Sequence, residues 1–396
     1  MVMEMLMRVG IVSIYYNAFN YGAQLQARAL VQIVKEYGYE CEQICYDATD
    51  EKYPFEKSIK EKIKEQGLIY LMVSKFRYVV HGINVKQNNK KISNKISARK
   101  NKFHKYENKT AHSQRIYNKE TISDCNDLYD VFITGSDQVF NPYYYNNAFL
   151  LGFVTGKTKL SYAASIGLSY LSQNEKELLQ TSLRTFDGIA VREDSGQTIL
   201  KEILPQKEIK TTIDPTLLID STYWINEAHK TRELEEPYIF CYFLGKEKKL
   251  RKFAEIVSKQ LNLRILTIKD ALGNYQSADE YHATELEDDG PDGFNSAIAN
   301  ACFVLTDSFH GTAFSIIHEK RFLSFRRNFH EENSGDSRII DLLKNLGIED
   351  RWVQNIEQSS TDLLINEIDY CDVKRRLEYL RMDSNGYLSK KLMDNK

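Results

Sequence analysis

Short apolar runs that stop at polar loops, alternating with stretches of helical spacing, constrain this chain more than any other feature. "MRVGIVSIYY" has the pattern of a buried strand, "QLQARALVQIVKEYG" places apolar residues at helical intervals and closes at Gly38, and "YECEQICYD" reads as the next strand. After a long insertion, "DVFITGSDQVF", "TKLSYAASIG" and "FDGIAVRED" each give a strand ending at a polar loop, and "IKTTIDPTLLID" closes the block with Pro215 as a break. A second block runs through "PYIFCYFLG", "LRILTIK", "ACFVLTD" and "RFLSFRR", with "LRKFAEIVSKQLN" and "FNSAIANA" at helical spacing between them. A chain of 396 residues is too long for one ordinary core. Two such blocks predict an α/β protein, with two parallel-sheet domains facing a cleft. The expected first domain is 1–220, with a helical basic insertion at about 52–118. The second is 221–350, and a C-terminal helical segment, 351–396, is expected to cross back to the first domain.

Composition excludes several classes. The formal net charge of −2 gives no global pull toward nucleic acid, and no run approaches the roughly 18 apolar residues a spanning helix needs. Glu4 and Arg8 interrupt the opening run, which lacks the features of a signal peptide. Six cysteines, of which only Cys41 and Cys45 are close together, form neither a disulfide framework nor a metal-ligand cluster. The expected location is cytoplasmic.

One segment departs from this balance. From Lys57 to Arg115 there are sixteen Lys and Arg against three Glu, an excess of thirteen. Within it "GLIYLMVSKFRYVVHGI" is apolar and aromatic, with Lys75 and Arg77 in its middle. One reading is a helical excursion packed on the first domain with a solvated basic face. Another is a peripheral contact with anionic membrane at the inner face, or a grip on a phosphate-linked acceptor. "KNKFHKYENK" carries no nucleic-acid recognition motif, and no nucleic-acid partner is expected.

In an open parallel sheet, ligands bind at the carboxyl ends of strands, where helices begin. In "CFVLTDSFHGTAFSII" a strand ends and Gly311-Thr312 open a helix, whose free N–H groups and dipole attract a phosphate or carboxylate. Gly311 leaves room for close backbone approach, and Asp307 or Ser308 is placed to cap. His310 can carry a proton near neutral pH, which makes it a candidate general acid beside an anion. A histidine that only caps or packs is the plain alternative. His318, inside the following helix, and His330, in a polar loop, lack this setting.

Three further joints carry polar groups. At "DVFITGSDQVFNP" the strand ends at Gly135 with Ser136, Asp137 and Gln138 at its tip. Asp137 can accept a proton from a hydroxyl or orient a sugar ring, although Ser-Asp is also an ordinary turn pair. Arg192 in "AVREDSG" directly follows a strand, where its planar fork can clamp a carboxylate or phosphate. The alternative is a surface ion pair with Glu193 or Asp194. "NYGAQLQ" sets Asn20, Tyr21 and Gly22 before a helix as a second anion or hydroxyl site, without the G-x-G-x-x-G spacing of a dinucleotide site. No His/Asp/Glu cluster has metal spacing, and neither metal nor cofactor is expected.

In order along the chain, "N-x-G-A-x-L-Q", "D-x-F-I-T-G-S-D-Q-V-F-N", "Y-A-A-S-x-G", "V-R-E-D-S-G", "D-P-T-L-L" and "T-D-S-F-H-G-T-A-F-S" resemble the polysaccharide pyruvyl transferases from about Val9 to about Asp350. The GSDQ-type and SFHG motifs are the most specific pieces. GSDQ is followed here by Val-Phe rather than the commoner Val-Trp, and the basic insertion lies in a variable part of the family. The resemblance implies two Rossmann-like domains in a GT-B-like architecture, the first on the acceptor side and the second on the donor side. It implies transfer of a pyruvyl unit from phosphoenolpyruvate to a sugar acceptor, free or lipid-linked, of a cell-envelope polysaccharide. His310 would be the catalytic acid and Arg192 a phosphoenolpyruvate ligand. The chemistry suits the residues, because a donor with a carboxylate and a phosphate needs cations and free N–H groups. Two alternatives are a GT-B glycosyltransferase with a nucleotide-sugar donor and a non-catalytic sugar-phosphate binding protein. The joint presence of His310, Arg192 and Asp137 disfavours the last.

Overall fold

A computed structural model describes residues 7–49, 89–245, 247–268, 281–327, 335–356, 364 and 366–394, with the backbone alone for 89–95. The first sheet is built from β1 (Arg8–Val12), β2 (Glu40–Gln43), β3 (Val131–Gly135) and β4 (Thr158–Tyr162), all parallel, in the order β2-β1-β3-β4. Parallel bridges Leu160–Gly188 and Ala164–Val191 extend it to β5 (Ile189–Val191), which pairs with β6 (Ile209–Thr211). All five residues of β3 are buried, as expected of a strand covered on both faces. Helix α1 (Tyr21–Glu36) starts where Asn20 Oδ1 accepts from the Ala23 N–H (3.1 Å) and stops before Gly38 at φ +86°.

The second sheet joins β7 (Tyr238–Tyr242), β8 (Arg264–Thr267), β9 (Ala283–Glu285), β10 (Phe303–Thr306), β11 (Arg321–Phe325) and β12 (Trp352–Val353). Its strands are parallel in the order β12-β11-β10-β7-β8-β9. Each sheet reverses its winding once, between β1 and β3 in the first and between β7 and β10 in the second. Such switch points open a crevice beyond the strands' carboxyl ends. The loops carrying Asn20, Ser136 and His310 all leave strands that flank a switch point.

The two halves share a core. Tyr21 stacks on Phe294 of α8 (Pro291–Ala299) at 4.9 Å and 8°, and meets Tyr242 edge-on. Trp224, from the short α6 (Ser221–Glu227), packs on Phe314 of α9 (Phe309–Ile317). The C-terminal helix α11 (Tyr370–Met393) ties the halves again. Tyr370 Oη near its start donates to Lys320 O, and further along Ser384 Oγ accepts from Ile213 N–H while Arg381 donates to Leu217 O.

The stretch containing Lys75 and Arg77 lies outside the described residues. The described part of the basic segment runs from α2 (Asn89–Glu107) to Arg115, and three of its cations turn to the second domain. Arg99 and Lys102 pair with Asp289 at 2.6 and 2.8 Å, and Lys109, just beyond the helix, pairs with Asp292 at 2.9 Å. These three cations meet the acidic "ELEDDGPD" loop, while Lys100 and Lys105 stay exposed. Among the described residues no helix is long and apolar enough to cross a membrane.

Candidate active site at the facing switch points

After β10, Asp307 does not cap the following helix. Its two oxygens accept from the N–H groups of Leu244 and Gly245 (2.7 Å each) and pin the loop after β7. The cap of α9 is Ser308, whose Oγ accepts from Gly311 N–H at 3.4 Å. His310 therefore sits in the first turn of α9, and it is buried. Its ring lies on Gly22 of α1, so close that a Cβ there would stand 1.9 Å from His310 Nδ1. On the other side, Nε2 has no hydrogen-bond partner among the described residues and stands 3.7 Å from Asp214 Oδ2.

The first domain answers with a buried cation. Arg192, after β5, donates from Nη1 to Asp214 Oδ2 at 2.7 Å, and its guanidinium lies 4.2 Å from the centre of the Phe309 ring. Among the described residues its Nε and Nη2 make no hydrogen bond, and Asp137 Oδ1 is 3.6 Å from Nη2. Burial opposes charge on Arg192, but Asp214, Asp137 and Glu193 outweigh it and raise the pKa. Asp214 is also wholly buried. Burial works against its ionisation, yet His310 first, then Arg192 and the Thr216 N–H, hold its carboxyl well below the usual range. A second arginine arrives from α10 (Ser337–Leu346). Arg338 is buried, and burial together with repulsion from Arg192 lowers its pKa to about 10, which leaves it charged at neutral pH.

The expected residues divide by what they touch. Ser136, at φ +25°, donates to Asp214 Oδ2 (2.8 Å) and joins the cluster, as does Asp137 at φ +60°. Two consecutive residues in this region cost on the order of 1–3 kcal/mol each, held here because Asp137 O accepts from Val139 N–H and Ser165 N–H. Gln138 accepts from Asn141 and fills the space beside Gly167. Asn20 caps α1, and Tyr21 is a core residue whose Oη donates to Asp289 O. Gly135 has its open side filled by Leu30, and Gly311 has its own filled by Thr306 (2.3 Å from a built Cβ). The glycine at 311 thus serves the packing of α9 on β10, a correction to the idea that it makes room for a ligand. Thr312 spends its hydroxyl on Ser308 O and Ser324 Oγ. Glu193 does not pair with Arg192. Its Oε1 accepts from Ser165, Ile166 N–H and Gly167 N–H and shapes the loop after β4. His318 contacts Asn295, and His330 lies outside the described residues.

Sequence reasoning missed Asp214, Arg338 and Phe309 as parts of the cluster. Asp214 was within reach, since it stands in the "D-P-T-L-L" motif, but it reads there as a turn before proline. Among the described residues no group of three or more His, Cys, Asp or Glu could hold a metal ion.

These features define a two-domain α/β protein of GT-B-like architecture with a buried, cation-bearing cluster where the two sheets face each other. A family model described as polysaccharide pyruvyl transferase matches residues 20–328, and the chain belongs to that family. Among solved structures it is similar to a UDP-GlcNAc 2-epimerase from Neisseria meningitidis bound to UDP-GlcNAc, with a TM-score of 0.51 and 10% identity over 98% of this chain and 99% of that one. It is also similar to the N-terminal domain of trehalose-6-phosphate phosphatase from Candida albicans, with a TM-score of 0.50 and 10% identity over 99% and 97% of the two chains. At such identity the likeness concerns the fold alone. Comparison with curated proteins found no match.

Proposed function

We propose that this transferase moves a pyruvyl group from phosphoenolpyruvate to a sugar of a cell-surface polysaccharide or its precursor, closing a cyclic ketal. The observation that supports it best is the gathering of His310 and Arg192 at Asp214, with the Arg338 charge near Arg192, where Arg192 Nε and Nη2 and His310 Nε2 are buried without hydrogen-bond partners among the described residues. Buried donors left unpaired are costly, and a ligand with two anionic groups satisfies them. In this reading the arginines receive the donor's carboxylate and phosphate. His310 delivers a proton to the methylene carbon, making a methyl group and an oxocarbenium-like C2. One acceptor hydroxyl adds to C2, and a second displaces phosphate as the C–O bond to phosphorus-bearing oxygen breaks. Of the two hydroxyl protons, one restores His310 and the other leaves on phosphate. Asp137, the least enclosed carboxylate of the cluster, is the candidate to take a hydroxyl proton. A positioned acid contributes about 10²–10⁴-fold.

Thermal stabilisation by phosphoenolpyruvate, set against nucleotide sugars, tests the donor. Phosphoenolpyruvate should stabilise the protein, and Arg192→Lys, which keeps the charge but loses the planar fork, should weaken that effect about tenfold or more. Stabilisation by nucleotide sugars alone would favour a glycosyltransferase instead.

A further inference from the structure

We propose that Asp214 is a positioning residue that holds the imidazole of His310 and the guanidinium of Arg192 in register across the two domains. The inference deepens the pyruvyl-transfer reading and rests on it for the rate effects, though its geometry does not. The two carboxylate oxygens divide their work. Oδ1 accepts from Thr216 N–H (3.0 Å) and Thr216 Oγ1 (2.7 Å), which caps α5 (Pro215–Leu218). Oδ2 takes no part in that cap. It accepts from Ser136 Oγ (2.8 Å) and Arg192 Nη1 (2.7 Å) and faces His310 Nε2 at 3.7 Å.

A cap needs one neutral oxygen, and asparagine supplies it as well as aspartate. The charge is explained only by what surrounds Oδ2. There a single carboxylate meets one cation from its own domain and one titratable ring from the other. His310 is confined by Gly22 of α1 on its Nδ1 side, so Nε2 is the nitrogen left to the donor, and the Asp214 charge at 3.7 Å steadies the imidazolium without taking a hydrogen bond from it. The other charged groups facing the cluster are Asp137 and Glu193 beside Arg192, and Arg338 from α10. In this reading Asp214 acts through His310 and Arg192.

Asp214→Asn separates the two jobs, because the amide oxygen keeps the cap while the charge is lost. The variant should melt as one folded species, and its kcat should fall about a hundredfold or more. The KM for phosphoenolpyruvate should stay level or drop, since Arg192 is freed from its partner. Asp214→Glu, which keeps the charge, should recover part of the rate. A substrate-free readout separates this inference from the donor assignment. In NMR spectra without substrate, the cross-peak between the His310 ring and the Gly22 α protons should weaken in Asp214→Asn. It should do so even if phosphoenolpyruvate proves not to be the donor. Should the Asn variant fail to fold, Ser136→Ala, which removes one donor to Oδ2 and leaves the cap in place, makes the same comparison. A cross-peak unchanged in a folded variant would overturn the proposal.

Discussion

Gly22 shows how much a single hydrogen in place of a methyl group can decide. It opens α1 in the first domain, yet its Cα faces a ring from the second, and a built Cβ would come within 1.9 Å of His310 Nδ1 and 2.5 Å of Cγ. The ring is confined between α1 and Asp214 and is not the free end of a flexible side chain. Gly22→Ala should therefore displace the imidazole, costing about 1–3 kcal/mol of stability as overpacking does, and should lower turnover by at least tenfold. Steady-state rates beside a denaturant melt check it, and a folded variant with full activity would show that His310 need not occupy this place. Little of this was legible in the sequence. Gly22 stood out as part of "NYGAQLQ", but its neighbour is 288 positions away and no local pattern names it. Asp214 was hidden for the same reason, since Ser136, Arg192 and His310 reach it from three separate loops.

At the scale of elements, the strands that carry the site were the easiest to read. β3, β7 and β10 are buried on both faces, so they appear as unbroken apolar runs. β9 and β12, with three and two residues, are too short to leave such a run, and they lie at the two edges of the second sheet. Helix α9 was legible at its start through Ser308 and at its body through small apolar residues. Its C-terminal cap, His318, carries a consequence for stability. Burial, aided by the Lys320 charge, lowers the imidazole pKa from 6.5 to about 3. The unfolded chain takes up a proton below about pH 6.5 while the folded chain does not until about pH 3, so stability falls as pH drops through that window. The slope is about 1.4 kcal/mol per pH unit for one such group. Denaturant melts between pH 7 and 4 should show this slope reduced in His318→Gln, whose amide can still reach Asn295. A slope identical in both proteins would mean that His318 is not the group responsible.

Across the whole molecule, the proposed reaction requires keeping the two sheets face to face. Three devices do so: the Tyr21–Phe294 stack, the bridging helix α11, and the clasp of Arg99, Lys102 and Lys109 on the acidic loop. The clasp gives three of the sixteen cations in that segment a partner that the sequence did not reveal. Its partner run, "ELEDDGPD", is acidic but lies some two hundred residues later, and charge alone does not say that two distant runs meet. The Arg99–Asp289 pair is largely enclosed, so it should outlast moderate salt better than an exposed pair. Arg99→Ala with Lys102→Ala should destabilise the fold by about 1–3 kcal/mol, read by urea denaturation, while a loss below a few tenths would show the clasp to be incidental.

The cluster around His310 is proposed to perform pyruvyl transfer. Its most direct test is mass spectrometry of a panel of sugar acceptors after incubation with phosphoenolpyruvate and either the unaltered protein or His310→Ala. One acceptor should gain a pyruvate less a water, with one phosphate released per ketal formed. His310→Ala, folded by its melting curve, should make that product at least about a hundredfold more slowly. A His310→Ala protein that forms the ketal within about tenfold of the normal rate would contradict the account, as would a mass gain that appears only with nucleotide sugars and corresponds to a hexose.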